Sequence, residues 1–187
     1  MKQIVIGLVG PIASGKGTVI KILKKKGFLS SSTSDRIREE ILKRGQVVTR
    51  ATLTQVSNEL REKYGDGILA IRTAQIIDAS PSEKFVIDSI RNPEEINYLK
   101  KKYGMNVIAV VAGQKKRYEL FSQRIVNSEP MTFEEFKQLD DKELEGTLGK
   151  HTQRVSDCIK MADVVIQNDG TLEELEKKVN KLLLSLL

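Results

Sequence analysis

The sequence predicts an α/β fold: a five-stranded parallel sheet with helices on both faces and a small helical lid. Two observations carry this expectation. Short runs rich in β-branched residues alternate with longer helical stretches along all 187 residues, the order of strand–helix–strand units. The first run, "KQIVIGLVG", is continuously apolar from Ile4 to Val9, as a strand covered on both faces must be.

The elements follow in order. "KGTVIKILKKKG" has helical spacing, with Lys24, Lys25 and Lys26 in its last turn and Gly27 as its stop. Cations there complement the helix C-terminus and are not read as a nucleic-acid surface. "FLS" is a short second strand, and residues 35–44 form a helix stopped by Gly45. "TRATLTQVSNELREKYG" predicts a helix capped by Thr49 and ended by Gly65; Asp66 starts another that runs to Ala79. "KFVID" is the third strand. In "NPEEINYLKKKYG", Asn92 is the N-cap, Pro93 the first helical residue and Gly104 the stop. "MNVIAVVA" is the fourth strand and "QKKRYELFSQRIVN" is helical. "TFEEFKQLDDKELEG" and "TLEELEKKVNKLLLSLL" each open with a capping box, Thr132 to Glu135 and Thr171 to Glu174. A helix near 150–161 leads into the fifth strand, "ADVVIQ". The chain reads as one domain over 1–187, and the polar, strandless segment 128–150 predicts a lid.

Composition narrows the chemistry. Hydrophobic residues make up 40% and charged residues 30%, an ordinary globular balance. No apolar run is long enough to cross a bilayer. The N-terminal run meets Gly10-Pro11 where a leader peptide would stay apolar, so a first strand is expected. Cys158 and His151 are each the single residue of their kind. One cysteine excludes an intrachain disulfide and speaks against a Cys-based zinc site; one histidine leaves Ser-His-Asp chemistry poorly supplied. A cytoplasmic location is the resulting expectation. The net charge of +6 favours anionic partners. With 5% aromatics and no Trp, stacking platforms for nucleic acid are not expected.

The stretch "GPIASGKGT", Gly10 to Thr18, follows a strand and opens a helix. Gly10 and Gly15 let the backbone turn its N–H groups toward an anion, the helix N-terminus adds partial positive charge, and Lys16 sits where it reaches β- and γ-phosphates. Gly10, Ala13, Ser14, Gly15, Lys16, Gly17 and Thr18 are therefore expected to hold nucleotide phosphates. The alternative is a glycine-rich turn that merely packs strand on helix. Gly17 stands where the commonest phosphate-loop pattern has Ser or Thr, so Thr18 is the next hydroxyl available to Mg²⁺.

"GKGT" resembles the loop of adenylate kinase and related nucleoside monophosphate kinases. "STSDRIREE" resembles their acceptor segment, which implies that Asp35 lies near the phosphates and Arg38 grips the acceptor phosphate. By the same resemblance "VIDSIR" supplies Asp88 near Mg²⁺ and Arg91 on the acceptor phosphate, and "QKKRYELFSQR" supplies Arg117 and Arg124 to close on the donor. A second resemblance, carried by "IGLVGPIASGKGT" and "ADVVIQNDGTLEEL", is to dephospho-CoA kinase; it implies that Asn168, Asp169 and Gly170 lie beside the donor adenine. Over its whole length the chain is similar to a branch between these two groups. That branch includes archaeal adenylate/dephospho-CoA kinase-related proteins and P-loop domains attached to deoxycytidylate deaminases.

The resemblance implies an ATP- and Mg²⁺-dependent kinase for a nucleoside or deoxynucleoside monophosphate. A phosphate acceptor is already an anion and needs arginines, not a base. Arg36, Arg38, Arg91, Arg117, Arg124 and Arg154 are the supply. A hydroxyl acceptor of the dephospho-CoA type would need a carboxylate base, for which Asp35 is the candidate. A nucleotide-sensing module with a deaminase partner is a further alternative, and a nucleic-acid ATPase the outsider. Monomer and dimer both stay open. Asn58, Glu59 and Arg61 either read the acceptor base or sugar or form a solvated face. Asp140 and Asp141 are expected as surface charges, Cys158 as core and His151 as an exposed helix residue.

Overall fold

The computed structural model describes residues 3–123, 131–145 and 152–186. Strands β1 (Ile4–Val9), β2 (Leu29–Ser32), β3 (Lys84–Asp88), β4 (Asn106–Val111) and β5 (Val164–Gln167) form one sheet in the order β2-β3-β1-β4-β5. Every pairing is parallel; Ile6, for example, faces Val86 of β3 and Asn106 of β4. The chain leaves β1 toward the β2 edge and later crosses to β4 on the other side. Ligands of open α/β sheets sit beyond the strand C-termini at such a reversal.

Strand periodicity divides the core. Val5 and Val9 face one side with Phe85, Ile87, Val107 and Ala109. That side is covered by α4 (Ile68–Asp78), α5 (Pro93–Tyr103) and α8 (Val155–Lys160), through Ala70, Ile77, Ile96, Leu99 and Cys158. Ile6, Leu8, Val86, Ile108 and Val110 face the other side. There α1 (Lys16–Lys25) contributes Val19, Ile22 and Leu23, and α9 (Leu172–Leu186) contributes Leu175, Val179 and Leu183. A residue period of two thus supplies two apolar faces from one strand. A third apolar cluster joins α2 (Thr33–Lys43), α3 (Arg50–Tyr64) and α4 through Ile37, Ile41, Val56, Leu60 and Leu69. The remaining described helices are α6 (Gln114–Ser122) and α7 (Phe133–Glu145). Helix α7 lies within the segment expected as a lid and packs Phe136 against Tyr118 and Phe121 of α6.

Local signals set most boundaries. Thr49 and Thr52 cap α3 reciprocally, Asn92 caps α5 through Glu94 N–H, and Glu135 and Glu174 each reach back to the expected threonine. Several boundaries differ from the sequence reading: β2 runs over Leu29–Ser32 and not 28–30, and α6 ends at Ser122. Helix α2 starts at Thr33 because Ser32 Oγ accepts the Ser34 amide, so the cap lies earlier than expected. Helix α4 starts at Ile68, after Gly65 (φ 91°) and Gly67, and not at Asp66. The described part of the helix expected near 150–161 is confined to Val155–Lys160.

Gly10 is confined by its surroundings: it has φ +142°, and an added Cβ would lie 2.1 Å from the Val110 carbonyl oxygen. An added Cβ on Gly17 would meet nothing within 4 Å. Gly10→Ala is expected to lower unfolding free energy by at least about 2 kcal/mol in urea titrations. Gly17→Ala, inside α1, is expected to be neutral or to raise it by up to about 1 kcal/mol.

Candidate active site

The loop between β1 and α1 is built to present backbone N–H groups. Gly15 (φ 104°) caps α1 without a side-chain hydrogen bond, and Ala13 holds a left-handed φ of 56°. A left-handed alanine costs energy that only the surrounding fold maintains. Lys16 folds back, and its Nζ donates to the Gly10 and Pro11 carbonyls at 2.8 Å each. The ammonium is therefore fixed over the loop. Thr18 sits two residues inside α1, and Gly17 is exposed beside it.

Asn168, expected beside an adenine, is 8% exposed, and its Nδ2 donates to the Ser14 carbonyl at 2.9 Å. It braces the loop from behind, and a Cβ on Gly15 would strike it at 2.2 Å. Asp169 accepts the Gly113 amide at 2.7 Å and the Gln167 side-chain amide. The Gly113 N–H, then Gln167, hold its carboxyl below the usual range. Gly170 lies against the Glu174 carboxylate that closes the turn.

Asp88 ends β3. Its Oδ1 and the Ser14 hydroxyl are buried with no partner among the described residues. Next to it Ser89 holds φ 63°, and its carbonyl accepts the Thr33 hydroxyl at 2.6 Å. An unsatisfied carboxylate oxygen at a strand end fits a hydrated divalent cation. No group of three or more His, Cys, Asp or Glu able to hold a metal occurs among the described residues. Asp88 would therefore need phosphate oxygens and water to complete a Mg²⁺ shell, and Ser14 and Thr18 are the hydroxyl residues of the loop.

Beyond β3 lies a cavity of about 300 Å³. Arg38, Arg50, Arg61 and Arg91 line it, with Ile37, Leu53 and Leu69 as its apolar wall. Arg38 Nη1 donates to Ser34 Oγ at 2.8 Å and stands 3.7 Å from Asp35. Arg91 Nη1 donates to Glu143 of α7 at 3.2 Å and to Gln153 at 3.0 Å. Arg50 pairs with the other oxygen of Glu143. Arg61 is 1% exposed, and its Nη2 donates to Glu95, 0% exposed, at 3.0 Å. The Arg91 amide donates to the other Glu95 oxygen at 2.9 Å.

Several expected residues lie elsewhere. Asp35 is not part of the cavity lining. Arg36 pairs with Glu39 at 2.8 Å and Arg154 with Asp157 at 2.7 Å, both away from the cavity wall. Glu59 pairs with Arg44. The Asn58 side-chain oxygen is buried without a partner among the described residues. Burial pushes the Cys158 thiol well above its usual range, consistent with a core role. Arg124 and His151 lie outside the described residues.

Asp140 overturns its expectation as a surface charge. It is 0% exposed and makes a two-pronged ion pair with Arg117, 4% exposed. Arg117 also donates to the Ala112 carbonyl at 3.0 Å and to the Ile12 carbonyl of the loop at 3.2 Å. The carboxylate is buried because α7 docks its Phe136 face onto α6 and brings an arginine with it. Asp141 is half-buried and accepts from Gln114 at 3.2 Å. Arg50 and Glu143 carry no motif that marks them in the sequence. Their only signal is that Glu143 follows Asp140 by one helical turn, on the same face of α7.

Asp140→Ala is expected to cost about 3–5 kcal/mol by leaving Arg117 buried and unpaired, read by urea unfolding. An Arg117→Met/Asp140→Leu double variant should recover most of that loss.

No protein-family model matches the chain. Among solved structures, shikimate kinase from Bacteroides thetaiotaomicron superposes with TM-score 0.62 at 13% identity, covering 96% of this chain and 98% of that one. Dephospho-CoA kinase from Campylobacter jejuni superposes with TM-score 0.54 at 17% identity, covering 97% and 96%. At these identities the likeness is one of fold: the P-loop kinase-like arrangement of a five-stranded parallel sheet. Among curated proteins, a UPF0200 protein of Methanothermobacter thermautotrophicus is 32% identical over 184 residues, 98% of this chain and 90% of the relative. A UPF0200 protein of Thermococcus kodakarensis is 33% identical over 187 residues, 97% of this chain and 96% of the relative. With matches of that identity running nearly end to end in both partners, this chain belongs to the UPF0200 family.

Proposed function

We propose that the chain is an ATP-dependent phosphotransferase that acts on a nucleoside or deoxynucleoside monophosphate. One observation carries this reading: two places with cationic side chains lie beyond the strands, the loop with Lys16 after β1 and the arginine-lined cavity after β3. The kinase-like fold agrees with it.

In this reading the amides of Gly10, Ala13, Ser14, Gly15, Gly17 and Thr18, with Lys16, bind the ATP phosphates. Asp88, assisted by Thr18 and by water, holds Mg²⁺, which neutralises charge on the transferring group. Asn168 and Gly170 shape the loop's support and the donor side. Arg38 and Arg91 grip the acceptor phosphate, whose oxygen attacks without a general base. Arg117, whose Nη1 donates to the Ile12 carbonyl of the loop, acts on the donor phosphates, and Arg124 is assigned the same role. The acceptor phosphate takes the place of Glu143 between Arg91 and Arg50, so α7 acts as the lid.

A hydroxyl acceptor of the dephospho-CoA type is the second reading, favoured by the shared fold of dephospho-CoA kinase. It requires Asp35 as base. The exposed place of Asp35 outside the cavity lining supports the monophosphate reading instead.

ADP formation from Mg·ATP, measured against each ribo- and deoxynucleoside monophosphate, dephospho-CoA and no acceptor, tests the proposal. One monophosphate should stimulate turnover and appear as its diphosphate. Lys16→Ala or removal of Mg²⁺ by EDTA should abolish transfer. Arg38→Ala should raise the acceptor KM by about 10- to 100-fold. Stimulation by dephospho-CoA alone, lost in Asp35→Asn, would replace this reading with the second. Glu143→Gln should lower the acceptor KM several-fold, since the phosphate no longer displaces a charged competitor.

A further inference from the structure

We infer that Arg61 is a further ligand of the acceptor's phosphate, set in the buried wall of the cavity and held there by Glu95. The inference rests on the monophosphate-acceptor reading of that cavity.

Arg61 carries more donors than the fold uses. Its side chain is 2% exposed and Glu95 is 0% exposed. Only Nη2 is engaged, by Glu95 Oε1 at 3.0 Å. Nε and Nη1 are buried with no partner among the described residues. A guanidinium taken from water is normally fully hydrogen-bonded, because each unmet donor keeps its desolvation cost. Arg61 nevertheless lines the cavity shared by Arg38, Arg50 and Arg91. Its two idle N–H groups are the kind of donors that a phosphate oxygen satisfies in pairs.

Glu95 explains how such a residue stays in place. It sits at the start of α5, where a carboxylate is stabilised by the helix dipole. One oxygen holds Arg61 and the other holds the Arg91 amide. The carboxylate therefore fixes α3 to the turn that presents Arg91, and sets both cationic residues against one volume. The ligand class that fits is a phosphomonoester dianion whose body packs on Ile37, Leu53 and Leu69.

The test reads inorganic phosphate binding to the full chain by ³¹P NMR titration in a Lys16→Ala background, which weakens the loop's own anion site. Arg38→Ala, Arg91→Ala and Arg61→Gln/Glu95→Gln are compared. The double variant removes both charges together, and the amide oxygen that Glu95→Gln leaves in place still accepts from the Arg91 amide. Arg61→Lys is the second variant: it keeps the ion pair and lacks the idle Nε and Nη1 donors. Thermal unfolding confirms that each variant is folded. All of them are expected to weaken phosphate binding by about 10- to 100-fold, Arg61→Lys at the lower end. If Arg38→Ala and Arg91→Ala weaken binding while both Arg61 variants bind as the background does, Arg61 is a structural pair only. If Arg38→Ala and Arg91→Ala have no effect, the cavity is not the acceptor-phosphate site, and both readings fall.

Discussion

In the proposed function positive charge has to be packed densely enough to bring two phosphate-bearing molecules together, yet the protein must stay folded when neither is present. Two guanidinium groups about 4 Å apart repel by roughly 4 kcal/mol at the effective dielectric of a protein surface. The solution in this chain is a set of internal carboxylates. Glu95 holds Arg61, Asp140 holds Arg117, and Glu143 spans Arg50 and Arg91. Each carboxylate stands against a cation that the proposed chemistry assigns to a phosphate. Two of the three lie on α7, one helical turn apart, so a single helix neutralises cations beside both the loop and the cavity.

The sheet supplies the rigid part of this arrangement. Parallel strands end together, which places the Gly10–Thr18 loop, Asp88 and the Ser89 turn at one edge of the core. Left-handed φ values occur at Ala13, within the loop after β1, and at Ser89, directly after β3. Such conformations persist only where the surrounding structure holds them. The α2–α3–α4 cluster is a second small core beside the β2 edge, joined to the sheet by Ala70 and Ile77 of α4 and by the Thr33 hydroxyl on the Ser89 carbonyl, and to α5 by the Arg61–Glu95 pair.

The sheet, the loop and the caps are legible in the sequence because each is written locally. A run such as "IVIGLV" needs no distant partner to be read as a buried strand, and Thr132 with Glu135 caps a helix wherever it lies. Lys16 is legible for the same reason. The internal charges are not, since Asp140 and Glu143 look like any solvated position on a charged helix and Arg61 reads equally as an acceptor contact or a solvated face. Their roles depend on pairings between helices: Arg61 meets Glu95 across 34 residues and Arg50 meets Glu143 across 93. Helical periodicity does put Glu143 on the face of Asp140, but nothing local says that this face is covered. Asn168 stands out in the sequence beside an expected adenine, yet the neighbour its amide braces is Ser14, a contact across 154 residues.

The central claim is that the loop and the cavity are two halves of one site, spaced for phosphoryl transfer between two nucleotides. Titration calorimetry with a dinucleoside pentaphosphate, which joins donor and acceptor through one phosphate chain, tests it most directly. The account predicts one molecule bound per chain, at least about 100-fold tighter than ATP, because the second half then binds without a further loss of translational freedom. An affinity no better than that of ATP, unchanged by Arg91→Ala, would contradict it.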